Sequence, residues 1–408
     1  MTTHGETPMQ REMRPGQPTD RLEELDALRG LAAFAVLIHH AVQLIPHYET
    51  PAITGAGWLR YTMTQLTPLR IVEMGRPAVL FFFVLSGYVL VRALLRNGSP
   101  GLGAFAAQRT IRLGLPVAVS VLLSVALYAG FAEPALPAEW RERSLFTWLE
   151  PPTLGQVASN IALIADNDDM RLNVVLWSLV HEWRLSLLLP LVLLFRGRVA
   201  LFVAAVLALM AIGIMGGATE NRVLLGPQLH STVAASFYFA GGIGTGAALA
   251  LALGQDVPRL SPQAMIAAGM ATLALFSMSS DLPVYAASAL LIVIARQPGR
   301  LRALLRSSLL VGLGAISFSL YLVHVPVLVA TMHALHDDWP PEAMAAFATL
   351  LALTAALPMY RCVEVPSRRL ARRVEKRLAR RSFATPVVRS PAPVPDWAPE
   401  GGMPSRVA

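Results

Sequence analysis

Ten long apolar runs divide this chain, and they constrain its fold more than any other feature. Most contain about 18 to 25 residues, the length that a helix needs to cross a hydrocarbon core about 30 Å thick. Only helices and closed barrels satisfy their backbone polar groups in lipid. The sequence therefore predicts an all-α, polytopic integral membrane bundle of about ten transmembrane helices, with a short eighth span, over residues 28–46, 77–95, 114–132, 173–195, 199–216, 231–253, 262–279, 283–295, 308–332 and 342–360.

The distribution of positive charge between these runs predicts the topology. With 54% hydrophobic and 15% charged residues, the formal charge of +8 is typical of basic cytoplasmic loops and not of a nucleic-acid-binding protein. If the N-terminus lies inside, the inner connections before the tail carry 15 Lys and Arg residues and the outer ones carry 7. We therefore expect both termini in the cytosol.

Three segments follow from this assignment. Residues 1–24 are polar, lack the pattern of a cleaved signal peptide, and are expected to be a disordered cytosolic segment. Residues 25–367 form the membrane domain. Residues 368–408 form a basic juxtamembrane segment, in which Arg368 to Arg381 is predicted to be an amphipathic helix on anionic lipid, followed by a Pro-rich disordered tail.

Few ionisable side chains fall within the spans, and each is expensive to bury in lipid, so each is a candidate functional residue. They are Arg29, His39 and His40 in the first span, His181, Glu182 and Arg184 in the fourth, and His324 in the ninth. Hydroxyl groups accompany them at Ser86, Tyr88, Ser317, Ser319 and Tyr321.

Helical geometry distinguishes between the adjacent histidines. Arg29 and His40 are eleven residues apart, which returns them to within about 20° of one face and separates them by about 16 Å along the axis. His39 points elsewhere. Because His40, Glu182 and His324 also lie at similar depths, we expect one central cavity lined by spans one, two, four and nine.

A buried histidine in such a cavity suits proton abstraction from a hydroxyl, since its imidazole titrates near neutrality. Glu182 is the candidate partner that would orient the His40 ring. The alternatives are that Glu182 only neutralises Arg184, and that His39, His181 and His324 are structural hydrogen-bonding residues.

Four motifs, in this order, resemble those of the bacterial membrane acyltransferase-3 family, which includes O-acetyltransferases of surface polysaccharides. The first is LDALRGLA at 25–32, whose Arg29 is followed eleven residues later by His40. The others are FFFVLSGY at 81–88, WSLVHE at 177–182, and ISFSLYLVHVP at 316–326. An Arg-x-x-Arg element, Arg109 to Arg112, and a closing VEVP at 363–366 also fit. One departure is the stretch 183–186, Trp-Arg-Leu-Ser, where many members have aromatic residues.

The resemblance implies a multi-pass enzyme of the bacterial inner membrane that transfers an acyl group from acyl-CoA, its co-substrate, to a hydroxyl acceptor such as a carbohydrate. No metal or other cofactor is expected. It implies His40 and Glu182 as catalytic residues and Arg29, Arg109 and Arg112 as donor-binding residues. The expected pocket-lining residues are Ser86, Tyr88, Trp177, Ser178, Tyr321 and His324.

Two other classes of protein would share the buried charges. A proton-coupled transporter or flippase could use His40 and Glu182 as a relay, although this does not explain the arginine spacing. A membrane scaffold would leave the costly polar groups without a purpose. Within the enzymatic interpretation, direct transfer and a transient acyl-histidine are both compatible with the sequence, and neither the acyl chain nor the acceptor is defined.

Overall fold

The computed structural model describes residues 22–45, 75–132, 136–137, 140, 148, 150–164, 171–219, 224–226, 228–278 and 280–383. Every regular element in these ranges is helical. The helices are α1 (Glu23–Val42), α2 (Gly75–Asn97), α3 (Leu102–Phe131), α4 (Leu154–Ile161), α5 (Leu176–Leu188), α6 (Val199–Met215), α7 (Leu229–Leu253), α8 (Pro262–Phe276), α9 (Asp281–Ala295), α10 (Arg300–Leu305), α11 (Ser308–Leu335), α12 (Pro341–Met359) and α13 (Val365–Phe383).

All ten predicted spans correspond to helices, so the predicted multi-pass bundle is confirmed. Seven described helical segments are long and apolar enough to cross a membrane, and α6, α8 and α9 are shorter apolar helices. The fourth span continues from α5 into a 3-10 helix, Leu189–Phe195. The protein is thus a multi-pass membrane protein built from helices.

Two helix starts differ most from the sequence-based boundaries. Helix α1 begins at Glu23, inside the segment expected to be disordered, and α3 begins at Leu102, twelve residues before the predicted third span. The early turns of α3 carry Arg109 and Arg112, whose charge lowers the local hydropathy. Hydropathy therefore located the lipid-crossing part of α3 but not its full length. Residues 1–21 and 384–408 lie outside the described residues.

Small residues bring the helices of the site into close contact. Helix α1 packs against α11, and a methyl group on Gly30 would collide with the Gly314 backbone. Helix α2 packs against α7, where a methyl group on Gly246 would collide with the Val84 carbonyl oxygen. Small residues at such positions let membrane helices approach one another closely.

The last helices form one continuous rod with an irregular turn. Between α12 and α13 the chain forms a π-helix, Tyr360–Glu364, and α13 then packs along the start of α3, where the Ser367 hydroxyl donates to the Ile111 carbonyl (2.9 Å). A π-turn adds a residue to the helical repeat and re-aims the side chains after it. Here it directs Glu364, only 4% exposed, into the bundle.

Candidate functional site

One end of the bundle opens into a cavity of about 300 Å³. Side chains of α1, α2, α3, α5, α11 and the π-helix with α13 line it. Its polar lining residues are Asp26, Arg29, Ser86, Arg92, Arg96, Arg109, Arg112, Ser178, Glu182, Ser317, Tyr321, Glu364 and Arg368. The cavity predicted between spans one, two, four and nine is present, and α3 and α13 complete its wall.

The cavity lining carries a positive charge. Its six arginines face three carboxylates, those of Asp26, Glu182 and Glu364, which leaves a net charge of +3. The apolar residues Val79, Phe82, Phe83 and Leu179 line it as well. A site with several guanidinium groups and an apolar wall suits a ligand that combines phosphates with a hydrophobic arm.

Glu182 binds an arginine and a serine in this cavity. Its Oε1 accepts hydrogen bonds from Arg109 Nη2 (2.9 Å) and Ser86 Oγ (2.9 Å). Arg109 is 2% exposed and also donates from Nε to Ser186 Oγ (3.1 Å). Because an unpaired buried cation would be costly, the first role of Glu182 is to neutralise Arg109.

Arg184, the other candidate partner of Glu182, points to a different helix. Its Nη1 donates to the Thr232 carbonyl and to Ser236 Oγ of α7, each at 3.2 Å. The alternative that Glu182 neutralises Arg184 is therefore replaced by its pairing with Arg109.

Arg29 is held against α11 at the open end of the cavity. Its Nε donates to Ser317 Oγ (2.9 Å), and its Nη2 donates to the Gly314 carbonyl (3.0 Å) and approaches Asp26 Oδ1 (3.1 Å). The same face of α1 carries His40, which also contacts α11. The eleven-residue spacing thus places both side chains on one helix face, as predicted.

His40 meets His324 of α11. The two rings share a hydrogen bond of 2.8 Å between His40 Nδ1 and His324 Nε2. Their planes differ by 17° and their centroids are 5.1 Å apart, about the N···N distance plus the two ring radii, so the rings meet edge to edge. The sequence-based partner for this ring was Glu182, and the structure instead places the Nδ1 of His40 on His324.

Tyr321 connects the cavity with the histidine pair. It lines the cavity, its ring centroid is 5.8 Å from that of His324, and Phe82 packs edge-on against it. Its hydroxyl is held by Ser178 Oγ (2.7 Å) and the Val175 carbonyl (3.1 Å). Tyr321 therefore belongs to the cavity lining and also lies directly beside His324.

Several predicted lining residues lie elsewhere. The described residues that line the cavity do not include Tyr88, Trp177, His40 or His324. Tyr88 is fully buried and receives a hydrogen bond from Arg296, whereas Trp177 packs among Phe83, His181 and Phe239. Tyr88 and Trp177 are thus packing residues of the bundle, and the two histidines lie behind Tyr321.

The other two histidines of the first and fourth spans make local contacts. His39 hydrogen-bonds Gln43 (3.0 Å) and packs on Gly75, while His181 bonds Ser236 (2.9 Å) and the Leu224 carbonyl (2.6 Å). These contacts agree with a structural role. Across the described ranges no group of three His, Cys, Asp or Glu side chains is placed to hold a metal ion.

Sequence reasoning missed five charged lining residues: Asp26, Arg92, Arg96, Glu364 and Arg368. A signal existed for Arg96, because Val79, Phe82, Ser86, Ala93 and Arg96 recur at helical spacing on one face of α2. The same spacing places Tyr88 about 200° from Ser86 and so argues against it as a lining residue. The π-turn that turns Arg368 inward has no comparable signal in the sequence.

Comparisons with known proteins identify the family of this chain. A family model described as an acyltransferase domain matches residues 22–361. The O-acetyltransferase PaAT-1 of Phomopsis amygdali is 27% identical over 371 residues, covering 76% of this chain and 73% of that protein. No solved structure matches. The chain therefore belongs to the membrane acyltransferase-3 family and is an acyltransferase.

Proposed function

We propose that this enzyme transfers an acetyl group from acetyl-CoA to a hydroxyl of a carbohydrate or a related envelope acceptor, with His40 as the base. The observation that carries the proposal is the net-positive cavity whose inner wall, at Tyr321, touches the His324–His40 pair. The family match and the O-acetyltransferase relative support transfer to oxygen.

The donor occupies the arginine-lined cavity in this proposal. Coenzyme A carries a pyrophosphate and a 3'-phosphate, which guanidinium groups bind with paired hydrogen bonds. The slender pantetheine arm follows the apolar wall towards Phe82. Since acyl-CoA is made in the cytosol, the open end of the cavity faces the cytosol, which agrees with the excess of arginine in the inner connections, and the host membrane is a bacterial inner membrane.

The thioester then reaches the histidine pair past Phe82, whose side chain is only partly buried. His40 takes the proton of the acceptor hydroxyl as its oxygen attacks the thioester carbonyl carbon. The carbon–sulfur bond breaks, the CoA thiolate leaves, and the imidazolium returns the proton to the sulfur. General-base assistance of this kind contributes about 10² to 10⁴ in rate.

The roles of the remaining polar groups follow from their contacts. Glu182 keeps Arg109 extended along the cavity wall, where its guanidinium faces the donor. Ser86 holds the same carboxylate from the other side. In this proposal Glu182 acts on donor binding through Arg109, and His40 acts on the acceptor.

The test uses membranes that carry the wild-type protein or His40→Ala, supplied with [14C]acetyl-CoA and the glycans and lipids of the host as acceptors. We expect His40→Ala to insert normally and to lose transfer of label by at least about 10²-fold. Release of free CoA measures the same step independently. Wild-type transfer by the His40→Ala protein would disprove the assignment of the base.

A further inference from the structure

The hydrogen bonds of His324 define which of its ring nitrogens carries a proton. Its Nδ1 lies 3.0 Å from the Leu320 carbonyl oxygen of the preceding turn. A carbonyl oxygen only accepts, so the His324 Nδ1 must donate. The protonated nitrogen of this ring is therefore Nδ1.

The other ring nitrogen of His324, Nε2, accepts a hydrogen bond. His324 is fully buried, and among the described residues its hydrogen bonds and ring contacts involve His40, Tyr321 and the Leu320 carbonyl, with no carboxylate. A charged imidazolium there would be costly, so the ring is neutral and its Nε2 carries a lone pair. The His40 Nδ1, 2.8 Å away, must donate to that lone pair.

The backbone around His324 is anchored at this level of the bundle. Pro326 has no N–H, which removes the helical donor to the Leu322 carbonyl. That carbonyl instead accepts hydrogen bonds from Ser120 Oγ (2.8 Å) and Asn173 Nδ2 (2.9 Å). The proline-dependent contact ties α11 to α3 and to the chain before α5, and it fixes the height of the His324 ring.

We propose that His324 is the positioning residue that sets the tautomer of His40. Because the His40 Nδ1 proton is committed to His324, the lone pair of neutral His40 lies on Nε2, and Nε2 is the atom that takes the acceptor's proton. The hydrogen bonds that link the Leu320 carbonyl, His324 and His40 orient the His40 ring, which is the role that the sequence suggested for the carboxylate of Glu182. This inference rests on the proposed acyl transfer with His40 as base.

The proposal requires a side chain at position 324 that accepts a hydrogen bond from His40, and this side chain need not be a histidine. In His324→Gln the amide oxygen can occupy the place of Nε2 and accept from His40 Nδ1. His324→Leu fills a similar volume and cannot accept, and His324→Asn is polar but too short to reach. Only the glutamine variant should therefore keep the His40 ring in its productive tautomer.

The experiment measures initial rates of acetyl transfer from [14C]acetyl-CoA by the purified full-length variants in detergent, with the host glycans and lipids of the first test as acceptors and thermal unfolding of each variant as a check on folding. We expect His324→Leu and His324→Asn to lower kcat by about 10²-fold with the donor KM within about twofold, and His324→Gln to restore kcat to within about tenfold of wild type. His333→Leu is the matched control on α11, since His333 stacks on Trp148 away from the site. It should retain wild-type kcat.

Wild-type kcat in a folded His324→Leu or His324→Asn protein would overturn the proposal, and so would equal losses in the Gln and Asn variants. If Leu disrupts folding, the comparison of Gln with Asn decides alone. An inactive wild type would instead count against the proposed function. An active wild type, an inactive His40→Ala and an active His324→Leu would reject only the tautomer inference.

Discussion

The basic cavity and the histidine pair are adjacent, yet they hold their polar groups by different means. In the cavity Arg109 faces Glu182 and Arg29 faces Asp26, so these four side chains form two ion pairs within a lining that stays net positive. In the His40–His324 pair, two rings meet through one hydrogen bond. Removing a partner in the cavity leaves an uncompensated charge, whereas removing a partner in the pair changes only the position of a proton. We expect stability to respond most to changes in the cavity and turnover to changes in the pair.

The largest expected effect on stability comes from Glu182→Gln. Breaking a buried ion pair strands the Arg109 cation, and the free energy of unfolding should fall by about 3 kcal/mol. Thermal unfolding in detergent measures the loss. Adding Arg109→Met removes the stranded charge and should recover most of the stability while donor affinity stays low.

An unchanged midpoint of unfolding in Glu182→Gln, together with loss of turnover and normal donor affinity, would contradict this assignment. It would show that Glu182 acts on the reacting groups, as the sequence alone suggested.

A smaller effect is expected from Arg368→Ala, which tests the open end of the cavity. Arg368 lines the cavity, and its neighbour Arg369 is exposed on the outer side of α13. A charge-assisted hydrogen bond to phosphate is worth about 1.5 kcal/mol or more, so the donor KM should rise about tenfold with kcat unchanged. Arg369→Ala, the matched control, should change KM by less than about twofold. Equal effects would mean that α13 acts through its overall charge and not through one contact.

The smallest expected effect on activity is that of Cys362→Ser. This variant is the control for a labelling experiment that shows which end of the cavity faces the cytosol. Cys362 is the single cysteine of the chain and is exposed in the π-helix, next to the open end of the cavity. A membrane-impermeant maleimide should label inverted vesicles and leave intact cells unlabelled, and Cys362→Ser should abolish labelling without loss of turnover. Labelling of intact cells would place the donor cavity on the outer side.

The fold was largely predictable because spans of lipid-crossing length are defined by hydropathy alone. The position of Arg29 and His40 on the same helix face was also predictable, since both belong to one helix. The partner of His40 was not, because depth in the membrane left Glu182 and His324 equally suitable. Their difference arises from side-chain direction on α5 and α11, which depends on how those helices are rotated within the bundle.

Errors at Tyr88 and Trp177 have a different cause. Motif membership grouped them with Ser86 and Ser178, although neighbouring positions on a helix point in different directions. A strict helical projection of α2 from Ser86 would have excluded Tyr88 and included Arg96. The inward turn of Arg368 depends on the π-helix, whose extra residue no periodicity predicts.

The glycine contact between α1 and α11 limits how this enzyme can move. With Gly30 against the Gly314 backbone, these two helices are locked face to face, and they carry both histidines of the pair. A rocking transition of the kind that carriers use would have to break this seam. In the proposed mechanism, substrates therefore enter and leave along the opposite wall, and His40 and His324 stay together throughout the cycle.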